Sequence, residues 1–198
     1  MSATPHRFAW RVVDIVVASA IGVAAGLVFF AWNLIYSPLT APLEAALPGL
    51  QALVYGVWLF AGVLGGLIIR KPGAAVFVEI VAATVSALLG AQWAFLTLEA
   101  GLVQGLGAEL VFLLFFYSNW RAIVAILAGA VSGLAMAIND LILWYPGARV
   151  EFALIYGVSA IVSGGVIAGL GSWALARGLA RTGALNRFAA GREITARV

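Results

Sequence analysis

Long apolar runs, broken at short intervals by Arg, Pro and Gly, organise this chain. A helix needs roughly 20 apolar residues to cross about 30 Å of hydrocarbon. Six stretches approach that length, over 12–36, 51–69, 73–98, 102–117, 122–144 and 152–176. The runs are too long for strands and lack period-two alternation. The pattern predicts an all-α integral membrane protein: one membrane domain over 1–198, a six-transmembrane-helix bundle, with a basic tail over 177–198. The third and fourth runs are closely joined and the fourth is short, which predicts a tight hairpin between them.

Charge supplies the orientation. Placing the N-terminus inside puts Arg7, Arg11, Arg70, Lys71, Arg121, Arg177, Arg181, Arg187, Arg192 and Arg197 on the cytoplasmic side and leaves Arg149 outside. Short-loop Lys and Arg follow that bias in cell-membrane proteins, so both termini are expected to be cytoplasmic. A composition of 64% hydrophobic and 10% charged residues, with mean hydropathy +1.10, excludes a soluble domain. The pI near 9.7 reflects the inner loops and the tail, not a nucleic-acid surface. Residues 37–50 hold Pro38, Pro42 and Pro48 with apolar residues between them, and read as an outer loop covering an outward-facing pocket.

Small residues recur four apart at Gly22 and Gly26, Gly62 and Gly66, Gly101 and Gly105, Gly129 and Gly133, and Gly165 and Gly169. Such pairs let helix backbones approach closely, either within the chain or against another subunit.

Polar residues inside the runs carry the candidate chemistry. Glu109 stands in a stretch, 101–120, with no Lys, Arg, His or second acid. Intramembrane carboxylates are expensive and face a protein interior or a ligand. With the fourth helix entering at residue 102, Glu109 is expected about 10 Å below the outer boundary. Helical spacing aligns Glu79 with Ser86 and Trp93, Asn33 with Tyr36, and Asp140 with Met136 and Trp144, and places Tyr156 on the sixth helix. Asn33, Tyr36, Trp93, Gln104, Asp140 and Tyr156 fall with Glu109 in the outer half, and Glu79 lies deeper. Carboxylates beside Trp and Tyr suit an organic cation. The alternative for Glu109 is a structural carboxylate bonded to Gln104, Asn33 or a backbone donor.

Other chemistries are excluded. No GxxxxGK[ST] stretch exists, so any ATP hydrolysis belongs to another chain. With no Cys and His6 as the single histidine, no cofactor, no dedicated transition-metal site and no Ser-His-Asp constellation is expected.

Several motifs together resemble a known family. They are Trp32-Asn33, Gly56-Val57-Trp58, Arg70-Lys71-Pro72-Gly73-Ala74-Ala75, Glu79 with Ala82-Ala83, the stretch Gln104-Gly105-Leu106-Gly107-Ala108-Glu109-Leu110-Val111-Phe112, and Gly191-Arg192-Glu193. In these the chain resembles the YkoE family of S components, the substrate-binding membrane subunits of energy-coupling factor (ECF) ABC transporters. The resemblance implies capture of thiamine or its hydroxymethylpyrimidine precursor from outside. It further implies uptake through a transmembrane coupling subunit and two cytoplasmic ATPases, with no enzymatic activity in this chain. It also implies a docking face on the first helix, which Ala18, Gly22 and Gly26 match in type. Two other classes stay open: a stand-alone proton- or ion-coupled carrier using Glu79, Glu109 and Asp140, and a structural assembly subunit.

Overall fold

The computed structural model describes residues 8–195; His6, Arg7 and Arg197 lie outside them. Every regular element among the described residues is helical. Helix α1 runs Val12–Ala46, followed by a 3-10 helix at Leu50–Trp58 that leads into α2 at Phe60–Ile69. Next come α3 (Ala74–Leu88), α4 (Leu96–Leu114) and α5 (Ala122–Leu143). Finally α6 (Val150–Ser163) passes through a π-helical stretch, Gly164–Leu170, into α7 (Gly171–Arg181), and α8 (Ala189–Thr195) closes the fold. Among the described residues five segments are long and apolar enough to cross a membrane: Val12–Ala46, Leu50–Ile69, Leu96–Leu114, Ala122–Leu143 and Val150–Arg181. Helix α3, with 15 residues, is shorter, about 22 Å at 1.5 Å per residue.

Two boundaries differ from the sequence expectation. The 37–50 loop is absent, because α1 continues through Pro38 and Pro42 to Ala46. Each proline removes one helical hydrogen bond, on a stretch where Ser37, Pro38, Leu39, Ala41 and Pro42 are all exposed. At 35 residues α1 is about 52 Å long and outreaches the hydrocarbon layer. The turn between α3 and α4 occupies 89–95 instead of 99–101, made by left-handed backbone at Gly90 (φ 102°) and Ala94 (φ 47°). Helix α4 therefore starts six residues earlier than the apolar pattern alone suggests.

Close backbone contact holds the bundle together. A Cβ at Gly129 would lie 2.1 Å from the carbonyl oxygen of Gly164, and one at Gly164 would lie 2.2 Å from that of Gly129. Only glycine permits α5 and the π-helical stretch to touch in this way. A Cβ at Gly22 would meet Val81 at 2.6 Å, and one at Gly26 would meet Val85 at 2.6 Å. Ala18, Gly22 and Gly26 are buried, the two glycines against α3, so they pack this chain internally. The small-residue face assigned to a partner subunit is consumed by the fold.

One end of the bundle is stitched by polar contacts. Buried Asp14 takes Arg11 at 2.7 Å and also pairs with Lys71, while Trp10 Nε1 donates to the Pro72 carbonyl at 3.0 Å. The Arg70 guanidinium lies 5.1 Å from the Trp120 ring centroid. The basic residues Arg11, Arg70, Lys71 and Arg121 gather here. Helices α2 and α7 run side by side toward this end, tied at their start by Ser172 Oγ donating to the Phe60 carbonyl at 3.0 Å.

Candidate functional site

At the opposite end, α1, the 3-10 helix and helices α3 to α6 enclose a cavity of about 360 Å³. Its wall is largely aromatic: Phe29 and Tyr36 from α1, Tyr55 and Trp58 from the 3-10 helix, Trp93 from the 89–95 turn, and Trp144, Tyr145 and Tyr156 from the α5–α6 corner. A 3-10 helix repeats every three residues, so Tyr55 and Trp58 eclipse one another on its inner face. Trp58 is the hub of this box, with ring centroids 5.0 Å from Tyr36, 5.0 Å from Tyr55 and 5.5 Å from Trp93. Such edge-to-face packing orients the rings beyond what burial alone provides.

A short polar chain sets that hub. Trp58 Nε1 donates to Asn33 Oδ1 at 2.8 Å, and Asn33 Nδ2 donates to Ser86 Oγ at 3.0 Å. The 3-10 helix, α1 and α3 are thereby linked through one side chain. On the far wall Tyr156 OH donates to Asp140 Oδ2 at 2.5 Å, and Asn139 Nδ2 donates to Glu99 Oε2 at 3.1 Å. Glu99, Asp140 and Gln104 line the cavity, and the buried Thr97 Oγ1 has no hydrogen-bond partner among the described residues. Among the described residues no Lys, Arg or His lines it. The site therefore offers two carboxylates and a rim of π-faces with no competing cation.

Of the expected site residues, Asn33, Tyr36, Trp93, Gln104, Asp140 and Tyr156 converge on this cavity. Glu109 and Glu79 do not line it. Glu109 accepts hydrogen bonds from the backbone N–H groups of Gly73 at 2.6 Å and Ala75 at 2.9 Å, and from Tyr117 OH at 2.7 Å. It caps the start of α3 at the basic end, where orphan N–H groups and the helix dipole favour an anion. The physical reason is the early start of α4. Thirteen residues separate Leu96 from Glu109, about 20 Å along the helix instead of the expected 10 Å. Glu79 is fully buried between helices and accepts the Gly62 N–H, with Gly62 and Gly105 packed against its side chain.

Sequence reasoning missed Tyr55, Trp58, Thr97 and Glu99. Tyr55 and Trp58, three residues apart beside Gly56, share a face because this segment winds as a 3-10 helix. Glu99 was hidden because it was read as lying in a turn between helices.

Residues 13–135 match the family described as "ABC-type cobalt transport system, permease component". Over 186 residues the chain is 36% identical to the "Putative HMP/thiamine permease protein YkoE" of Bacillus subtilis (strain 168), covering 93% of this chain and 92% of that protein. The chain belongs to the YkoE family. A crystal structure of an S-component of an ECF transporter superimposes with a TM-score of 0.88 at 34% identity, covering 96% of this chain and 95% of that one. This YkoE-family chain is thus an S component, a membrane transport subunit with the helical architecture of its relatives. Among its described residues no three His, Cys, Asp or Glu side chains gather as a metal-binding group.

Proposed function

We propose that this S component captures thiamine, or its hydroxymethylpyrimidine precursor, in the aromatic cavity and delivers it for ATP-driven uptake. The observation that carries the reading is an aromatic-walled cavity with Glu99 and Asp140 in its wall and, among the described residues, no basic side chain. Thiamine presents a fixed positive thiazolium and an aminopyrimidine whose amine donates hydrogen bonds. Ring faces attract the cation, and the attraction grows when water is excluded. The carboxylates accept from the amine and balance the charge. A cavity of about 360 Å³ is within the range of small-molecule sites. The name of the Bacillus subtilis relative, which mentions HMP and thiamine, supports the same substrate class.

The family description mentions cobalt, but cobalt favours imidazole and thiolate ligands. The cavity offers two carboxylates amid indole and phenol rings, which fits an organic cation better.

In this reading six helices cross the cell membrane, with α3 and the 89–95 turn completing the sixth traverse. The basic end is cytoplasmic, as Lys and Arg placement favours, and the cavity opens outward. A transmembrane coupling subunit and two cytoplasmic ATPases supply the energy. With Ala18, Gly22 and Gly26 buried, the docking face moves to the outer side of α1. There Ala20, Ala24 and Ala31 are exposed at helical spacing and small enough for close helix contact.

Calorimetric titration of the purified chain against thiamine, hydroxymethylpyrimidine, biotin, riboflavin and cobalt tests the substrate class. Saturable binding confined to the first two is expected. Selective binding of cobalt or riboflavin would overturn the assignment.

A further inference from the structure

We propose that the α7–α8 end is a docking surface for anionic phospholipid headgroups, presented by Arg177, Arg181, Arg187 and Arg192. From Gly171 to Arg192 the sequence holds these four arginines and no Asp or Glu. Among the described residues none of the four makes an ion pair. Among the described residues this charge is unneutralised, and an anionic surface complements it.

Geometry places this charge at headgroup level. Leu154, Val158, Val162, Val166 and Leu170 form an exposed apolar stripe, each at least 41% accessible, along the last traverse. The same face continues through exposed Ala174 to Arg177 and Arg181. Leu154 to Arg177 is 23 residues, about 35 Å of helix, slightly more than the hydrocarbon thickness of about 30 Å. The stripe thus turns from apolar to cationic where lipid tails give way to phosphates. The Arg177 guanidinium lies 4.6 Å from the Trp173 ring centroid, and Trp is enriched at that level of a bilayer.

The surface is built, not a loose tail. The opposite face of α7, Ser172, Ala176 and Ala180, is buried. The chain then reverses at Gly183 (φ 82°), and Leu185, Phe188 and Ala190 are buried beneath it. A Cβ at Gly191 would lie 2.2 Å from the Leu185 carbonyl oxygen, so α8 is pressed onto the reversal. Arg192 Nη1 donates to the Arg187 carbonyl at 3.0 Å, which keeps those two residues together while both stay exposed. Basic clusters beside a membrane span attract anionic lipids electrostatically.

The full chain in neutral detergent, titrated with phosphatidylglycerol or phosphatidylcholine and followed by native mass spectrometry, tests this surface. Wild type should retain phosphatidylglycerol over phosphatidylcholine by at least about fivefold, a modest share of the attraction expected from four arginines. The combined variant R177Q/R181Q/R187Q/R192Q should lose the preference while keeping its thermal unfolding midpoint. If that variant fails to fold, R177Q/R181Q and R187Q/R192Q should each lower the preference. Equal retention of the two lipids by wild type would overturn the proposal. So would displacement by millimolar inorganic phosphate, which marks a free-phosphate site. Variants that keep the lipid preference but fail to assemble with a coupling subunit would also overturn it, by marking a protein-docking surface.

Discussion

Removing the Glu109 carboxylate should weaken the fold and leave substrate binding intact. Glu109→Ala deletes two bonds to the N–H groups of Gly73 and Ala75 and one from Tyr117 OH. A lost helix cap costs about 1 kcal/mol, and hydrogen bonds to a charged acceptor cost somewhat more. Because Glu109 is half-buried and water can replace part of what is lost, the expected destabilisation is about 2–3 kcal/mol. Glu109→Gln keeps one accepting oxygen but turns an amide toward a backbone donor, so about half of that loss should remain. Denaturant unfolding in detergent, paired with calorimetric titration of thiamine on the same preparations, reads both quantities. Affinity should stay within twofold of wild type, because no contact of Glu109 reaches the cavity. A tenfold loss of affinity, about 1.4 kcal/mol, with unchanged stability would refute this and put Glu109 back in the binding site.

Other perturbations divide the roles further. Asp140→Asn should weaken thiamine binding at least tenfold, about 1.4 kcal/mol, with the protein still folded; unchanged affinity in calorimetry would remove Asp140 from the site. Asn33→Leu should release Trp58 from its 2.8 Å hydrogen bond and reduce affinity for cationic thiamine more than for neutral hydroxymethylpyrimidine. An equal loss for both ligands would make Asn33 a general scaffold residue. Gly22→Leu should impair folding, since even a Cβ there meets Val81 at 2.6 Å. Ala24→Leu, on the exposed side of α1, should spare thiamine binding and disrupt co-purification with a coupling subunit. The reverse pattern would restore the buried glycine face as the docking surface.

Much of the site was readable because it obeys helical spacing. Asn33 and Tyr36, Gln104, Asp140 and Tyr156 are polar or aromatic residues near one end of apolar helices, and bundle geometry brings such ends together. Depth was less legible. Hydropathy marks apolar content, whereas helix α4 begins where backbone at Ala94 turns, so the apolar pattern puts Thr97 at the end of the third helix and Glu99 between the third and fourth, although both belong to the start of α4. That error of six residues, about 9 Å, carried Glu109 to the wrong end. The lone carboxylate was correctly singled out as needing a partner, and its partners are backbone donors at a helix start. Pro38 and Pro42 suggested a loop because proline disfavours helix interiors, yet exposed prolines in α1 leave its remaining bonds intact. The glycines of α1 could face a partner or a neighbour in the same chain, and spacing alone cannot distinguish those two. Tyr55 and Trp58 required knowing that their segment winds as a 3-10 helix, which apolar runs do not encode.

The most direct test of the cavity assignment is a crystal structure of this chain with thiamine bound. The thiazolium should lie within about 6 Å of the ring centroids of Trp58, Trp93 or Tyr36, the range of cation–π contact, with the aminopyrimidine amine on Asp140 or Glu99. Thiamine seated beside Glu109 at the basic end, or outside the aromatic box altogether, would contradict the account.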